Sequence, residues 1–89
     1  MDFEWDEEKR ATNLEKHGLD LIDAAKLFDG RPVFTYTSQR HGEERFLTVG
    51  QLTDRFFAVV WTERQKAIRL ISFRRARSAE ERKYRAIFG

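Results

Sequence analysis

The chain has 89 residues, of which 36% are charged and 40% are hydrophobic, including eight Phe, two Trp and two Tyr. This balance predicts a single folded domain that spans residues 1–89, because disordered chains combine high charge with low hydrophobicity. The absence of cysteine excludes disulfides and thiolate metal sites. An acidic start and the lack of a long apolar run predict neither a secretory signal nor a membrane span, so we expect a cytoplasmic protein.

Charge is distributed unevenly along the sequence. Residues 1–30 hold 4 Lys or Arg and 9 Asp or Glu, residues 31–63 hold 4 of each kind, and residues 64–89 hold 9 and 2. The basic last third indicates a surface that binds RNA or another polyanion. The alternative is that the acidic and basic ends of the chain neutralise each other within the fold.

Two helices are predicted in the acidic segment. The first begins after Asp6, whose carboxylate can accept from free first-turn N–H groups, and ends at Gly18. Its inward face is expected to carry Ala11 and Leu14. Asp20 is expected to cap the second helix, in which four apolar residues recur at helical spacing: Leu21, Ala24, Ala25 and Phe28.

The remainder of the chain predicts strands followed by one helix. Residues 33–37, 45–49, 56–61 and 68–73 are rich in β-branched and aromatic side chains, and their short connections favour an antiparallel meander. Ser78 and Glu81 match a capping box at the start of the last helix. The element order ααββββα predicts an α+β domain with helices packed on a four-stranded antiparallel sheet.

The strongest candidate site is a cluster of charged residues around the last strand. It consists of Glu63, Arg64, Lys66, Arg69, Arg74, Arg75 and Arg77. A guanidinium group can hold a phosphate through two parallel hydrogen bonds, so the cluster favours anion binding. Strict alternation places Arg69 and Arg75 on one face of the strand and Arg74 on the other. The alternative is that these are ordinary solvated strand ends.

RNA cleavage without a metal ion needs a proton acceptor for the 2′-hydroxyl, cations for the transition state and a proton donor for the leaving oxygen. His17 and His41 can exchange protons near neutral pH, and three glutamates are further candidate bases: Glu43, Glu44 and Glu63. No local motif assigns these roles. The two histidines lack metal-ligand spacing, so neither a metal nor a cofactor is predicted. Tyr36 could stack on a base, whereas Tyr84 fits a core position better.

A series of motifs runs through nearly the whole chain: Phe3-x-Trp5-Asp6-x-x-Lys9-x-x-x-Asn13-x-x-Lys16-His17-Gly18, Ala24-Ala25-x-x-Phe28, Gly42-Glu43-Glu44-Arg45, Thr62-Glu63-Arg64, Arg69-x-Ile71-Ser72-x-Arg74-x-Ala76 and Glu80-x-x-x-Tyr84. In this order they resemble the BrnT family of toxins. The resemblance implies a RelE-like ribonuclease toxin of a bacterial type II toxin–antitoxin system, which inhibits translation by cleaving RNA. Its fold, helices on an antiparallel sheet, agrees with the predicted element order.

The resemblance also implies a partner. The expected one is a BrnA-like antitoxin with a ribbon-helix-helix DNA-binding domain, which neutralises the toxin and, in complex with it, represses their operon. The toxin is expected to reach operator DNA only through this antitoxin, and a higher-order toxin–antitoxin complex is left open. A non-catalytic nucleic-acid-binding module and a protein-interaction domain whose basic face docks an acidic partner stay open as alternatives.

The expected site residues combine the cluster with the matching motif positions. Arg64, Arg69 and Arg74 are the first expected catalytic residues, because RelE-like toxins use sheet cations to hold RNA, and His17 or Glu63 is the expected proton acceptor. The expected RNA contacts are Lys16, Arg45, Lys66, Arg75 and Arg77. The sequence departs from the family pattern at Glu7, where Pro is frequent, and at Arg77, where a small hydroxyl residue is usual.

Overall fold

The computed structural model describes residues 2–40 and 42–89, and His41 therefore lies outside the described residues. Along this part of the chain the elements are β1 (Asp2–Glu4), α1 (Glu7–His17), a 3₁₀ helix (Leu21–Phe28), β2 (Val33–Arg40), β3 (Glu43–Leu52), β4 (Arg55–Arg64), β5 (Ala67–Arg75) and α2 (Ser78–Phe88). Within the same residues, no helix combines the length and the apolar composition needed to cross a membrane.

The strands form one five-stranded sheet in the order β1-β5-β4-β3-β2. Strands β2 to β5 make the predicted antiparallel meander. The prediction of a purely antiparallel four-stranded sheet is wrong, because β1 adds a fifth strand parallel to β5, with Phe3 opposite Ile68. Three residues with one aromatic are too short to show strand alternation, so the pattern in the sequence did not reveal β1.

The two faces of the sheet are covered differently. The 3₁₀ helix packs on the face that carries Phe57, Val59 and Phe73, which we call the helical face. On the opposite face α2 covers one end through Tyr84, which packs with Val49, Phe56 and Ala58 in a second apolar cluster. We call this opposite side the open face, because α2 leaves the rest of it accessible.

The second predicted helix exists, but it is a 3₁₀ helix throughout. Its fully buried residues are Leu21, Ala24 and Leu27. This three-residue spacing matches three residues per turn, so a 3₁₀ helix turns all three side chains toward the sheet. The sequence prediction overlooked Leu27, whereas Phe28, which it placed on this face, is half-buried and packs against the same core. The helix approaches β3 closely at Gly50, where an added Cβ would lie 2.8 Å from Leu27 Cδ2.

Helix α1 begins and ends as predicted but docks through a polar side chain. Asp6 accepts from Glu8 N at 2.8 Å, and Gly18 closes the helix in the left-handed conformation. The expected apolar face is wrong, since Leu14 is 56% exposed whereas Asn13 is only 5% exposed. The Asn13 amide donates to Phe73 O and accepts from Phe73 N, and also donates to Leu19 O.

This contact completes the edge of β5. Strand β1 pairs only with residues 67–69 of β5, so the backbone at Phe73 has no strand partner on that side. The Asn13 side chain supplies one donor and one acceptor in its place, at 2.9 and 2.8 Å. A buried backbone group without a partner is costly, and Asn13 therefore fixes where α1 lies on the sheet.

A β-bulge changes the side-chain pattern of β5. Val60 pairs with Ser72 and Trp61 with Leu70, so Ile71 is an extra residue in β5. Leu70 and Phe73 consequently belong to the same core cluster, although they are three residues apart. The strict alternation assumed from the sequence is wrong, and Arg69 shares the open face with Arg74 because an inserted residue reverses the parity of a strand.

An ion pair attaches the start of α2 to the sheet. Arg74 donates from Nη1 and Nη2 to the two carboxylate oxygens of Glu80, each at 2.9 Å. Glu80 Oε1 also accepts from Arg77 N at 2.8 Å. The predicted Ser78 cap is therefore one residue late: Arg77 is the N-cap, and Glu80 rather than Glu81 reaches back to its N–H.

Replacing Asn13 tests the edge contact. Asn13→Ala leaves the N–H and C=O of Phe73 without their partner, and we expect it to lower the free energy of unfolding by about 2–4 kcal/mol. Urea denaturation followed by circular dichroism measures the change. Glu15→Ala on the exposed side of α1 is the control and should change stability by less than about 0.5 kcal/mol. Equal stability of the two variants would show that Asn13 does not hold α1.

The Arg74–Glu80 pair predicts a pH dependence of stability. The hydrogen bonds from Arg74 hold the pKa of Glu80 below its ordinary 4.5. A depressed folded-state pKa gives stabilisation that is complete above pH 4.5 and is lost as the pH falls through the folded-state value. At pH 7, Glu80→Gln should destabilise the protein by about 2–4 kcal/mol, because it leaves Arg74 partly buried without its counter-charge.

The difference in the free energy of unfolding between Glu80→Gln and wild type, measured by urea denaturation, should become smaller below pH 4.5. Glu81→Gln is the matched control, because Glu81 makes only a surface ion pair with Arg85. Such pairs contribute about 0–1 kcal/mol. A gap between Glu80→Gln and wild type that stays constant down to pH 3 would contradict the assigned role of Glu80.

Candidate functional site

A groove runs across the open face and continues past the edge of β5 to α1. It consists of two adjoining cavities, one of about 300 Å³ over the sheet and one of about 420 Å³ beside α1. Ile71 and Ser72 line both cavities and therefore mark where they meet. We call the two cavities together the basic groove.

The sheet part of the basic groove has an apolar floor and a cationic rim. Leu47 and Val60 form the floor together with Ile71, and the rim carries three guanidinium groups, from Arg45, Arg74 and Arg77. Tyr36 projects from β2 into the same cavity and is 40% exposed. This combination suits a ligand that has both anionic groups and flat apolar surfaces.

The α1 part of the groove adds further basic groups. Lys9, Lys16 and His17 line it together with Thr12 and two carboxylates, those of Asp6 and Glu8. Lys9, Thr12, Asn13 and Lys16 have the spacing i, i+3, i+4, i+7, which places them on one helical face. Sequence reasoning singled out Lys16 and His17 and overlooked Lys9 and Thr12, although this spacing was the signal that could have found them.

Arg74 lies in the groove but is already engaged. Its side chain is 14% exposed and that of Glu80 is 9% exposed. The hydrogen bond to Glu80 raises the pKa of Arg74, and the same bond lowers the pKa of Glu80. The charge of Arg74 is thus balanced within the protein, so its structural contribution has to be separated from any contact with a ligand.

Glu43 connects two other predicted site residues. Arg45 Nε donates to Glu43 Oε2 at 3.3 Å, and Arg64 Nη2 lies 3.7 Å from Glu43 Oε1. Arg45 belongs to the groove, whereas Arg64 lines a separate cavity at the far end of β4. Arg69 lines that cavity too, where its Nη1 lies 3.5 Å from Glu4 Oε1.

Three predicted site residues lie on the helical face. Glu63 and Lys66 line a cavity of about 320 Å³ with Trp61 and Ile68. Arg75 packs its guanidinium 5.6 Å from the centroid of the Phe57 ring. The sheet therefore separates these residues from the basic groove, which receives five of the ten predicted site residues: Lys16, His17, Arg45, Arg74 and Arg77.

The groove can perform two kinds of chemistry. Its lysine and arginine side chains can bind phosphate groups, and the imidazole of His17 supplies a nitrogen that can accept a proton from a bound substrate. Among residues 2–40 and 42–89, no group of three or more His, Cys, Asp or Glu side chains is placed to hold a metal ion.

Comparison with known proteins identifies the family. Curated protein sequences gave no match to the chain. Residues 5–80 match the model of a family described as BrnT, the ribonuclease toxin of type II toxin–antitoxin systems. The matched span includes α1 and strands β2 to β5, which carry most of the residues that line the groove. Since the match covers most of the sequence, the chain belongs to the BrnT family of ribonuclease toxins.

Proposed function

We propose that this protein is an endoribonuclease that inhibits translation by cleaving RNA in the basic groove, through a metal-independent reaction. The observation that carries the proposal is the convergence of cations from α1 and from the sheet on one continuous groove. Sequence-independent phosphate contacts of this kind provide much of the affinity of proteins for nucleic acids.

The reaction requires a proton acceptor and a proton donor. Removing the proton of a ribose 2′-hydroxyl lets its oxygen bond to the adjacent phosphorus, and the bond to the 5′ oxygen then breaks. The products are a 2′,3′-cyclic phosphate and a 5′-hydroxyl, which needs one proton. His17 is the acceptor that we assign, because Glu63 lies on the opposite side of the sheet. Solvent water in the open groove can supply the proton to the leaving oxygen, and the hydroxide formed takes up the proton held by His17.

The cations have a separate role in this mechanism. The pentavalent transition state carries more negative charge on its oxygens than the substrate, and positive groups that are already in position stabilise it preferentially. Arg45 lines the sheet part of the groove and Lys16 lines the α1 part. We assign them to the phosphate, whereas Arg64 and Arg69 can bind more distant parts of the RNA chain from the far end of the open face.

We further propose that an antitoxin neutralises the protein and carries a ribbon-helix-helix domain that binds operator DNA. Membership of a type II toxin–antitoxin family supports a protein partner. Co-expression with a neighbouring reading frame that encodes such a protein tests this proposal. Growth arrest caused by the toxin alone should then be relieved, and the two proteins should co-purify.

Cleavage by the purified protein tests the proposed activity. Wild-type protein should cut an RNA oligonucleotide in the presence of EDTA and leave 5′-hydroxyl ends. Lys16→Ala and Arg45→Ala should each lower the rate about 10–100-fold, because each removes one cation from the transition state. Arg55→Ala is the matched control, since Arg55 is exposed and lines neither part of the groove.

Cleavage that stops on chelation and returns with a divalent ion would contradict metal independence. RNA binding without new RNA ends would instead identify a non-catalytic binding module.

The proton acceptor can be tested by comparing two variants. His17→Ala should lower the rate about 100-fold, within the 10²–10⁴ range of general acid–base catalysis. Glu63→Gln should leave it unchanged, since Glu63 faces the opposite cavity. Rates at substrate saturation, with unfolding curves for both variants, separate the catalytic effect from binding and stability. If Glu63→Gln lowers the cleavage rate more than His17→Ala does, Glu63 rather than His17 is the proton acceptor.

A further inference from the structure

Tyr36 is the exposed aromatic side chain of the basic groove, and it extends the proposed function. We propose that the sheet part of the groove holds one unpaired nucleobase stacked on Tyr36, and that the substrate is therefore single-stranded RNA. This inference rests on the proposed function and adds the form of RNA that the groove accepts. Tyr36 would be a residue that determines specificity rather than one that transfers protons.

The position of Tyr36 on the surface supports a binding role. The aromatic rings of β3, β4 and β5 are buried or half-buried, whereas the Tyr36 side chain is 40% exposed in a cavity that also contains Arg45, Arg74 and Arg77. Exposed aromatic rings beside cations are the usual means by which proteins bind single-stranded nucleic acids, because every base has a face that can stack.

Neighbouring side chains hold the Tyr36 ring in place. Phe34 lies beside it with ring centroids 6.2 Å apart and planes 18° from parallel. The phenol hydroxyl points to Glu80 Oε2 at 3.4 Å, and Glu80 is itself fixed by Arg74. A ring with restricted motion loses little entropy when a base stacks on it, which favours binding.

The surroundings of the ring fit the rest of a nucleotide. Leu47, Val60 and Ile71 provide an apolar floor against which a base can lie. Lys83 Nζ lies over one face of the Tyr36 ring, 5.6 Å from its centroid, so a base must either stack on the other face or displace this ammonium group. In a duplex the faces of the bases are covered by their neighbours, so only an unpaired base could enter.

The experiment compares single-stranded and duplex RNA of the same sequence. Binding is measured by fluorescence anisotropy, cleavage on denaturing gels, and stacking by quenching of a 2-aminopurine base placed in the single strand. Wild type and Tyr36→Phe should prefer the single strand about 10-fold or more and quench the fluorescent base. Tyr36→Leu should bind the single strand about 10-fold more weakly, as expected for the loss of one stacked base.

Thr37→Ala is the matched control, because Thr37 is exposed on the same strand but faces the other side of the sheet. It should behave as wild type, and thermal unfolding of each variant confirms that the fold is intact. Unchanged binding and quenching in Tyr36→Leu, or equal affinity for the duplex, would overturn the inference even if the wild type cleaves RNA. If no variant cleaves but binding still depends on Tyr36, the base site stands and the proposed cleavage fails.

Discussion

The arrangement of the basic groove depends on one side-chain amide. Asn13 substitutes for a missing strand at Phe73, beyond the point where β1 stops pairing with β5. The same contact determines which face of α1 meets the sheet, and so places the exposed Lys9 and Lys16 along the cavity that Ser72 also lines. A leucine at position 13 could pack there, but it could not form hydrogen bonds with the N–H and C=O of Phe73. Apolar burial alone would therefore not fix the orientation of α1.

Arg74 shows how one residue can serve the fold and the site at once. A partly buried guanidinium paired with a buried carboxylate is fixed in direction, and here the pair also holds the first turn of α2 through Arg77 N. Its loss would therefore disturb α2, Tyr36 and the groove together. A drop in activity after replacement of Arg74 would not by itself identify a catalytic residue, whereas the less enclosed Arg45 and Lys16 allow that distinction.

Local patterns predicted both ends of α1 and the start of the 3₁₀ helix, because Asp6, Gly18 and Asp20 act through neighbouring backbone groups. They also predicted the four-strand meander. They did not predict β1, whose partner lies more than 60 residues away, or the insertion of Ile71, which reverses the strand parity on which the assignment of Arg69 depended. They also could not reveal that Asn13 would be buried, because its partner is a distant backbone group. Non-local contacts of this kind decide which candidate residues share a surface.

The charge of a segment is consequently a poor guide to the charge of a surface. The basic last third of the sequence divides on folding: Arg75 and Lys66 lie on the helical face, and Arg74 is balanced by Glu80. The acidic first third, in contrast, contributes Lys9, Lys16 and His17 to the groove, together with Asp6 and Glu8. A chain with a net charge of only +2 can therefore gather lysine and arginine side chains from both ends of the sequence along one groove, where a phosphate responds most strongly to charges within about 10 Å, the screening distance at 0.1 M salt.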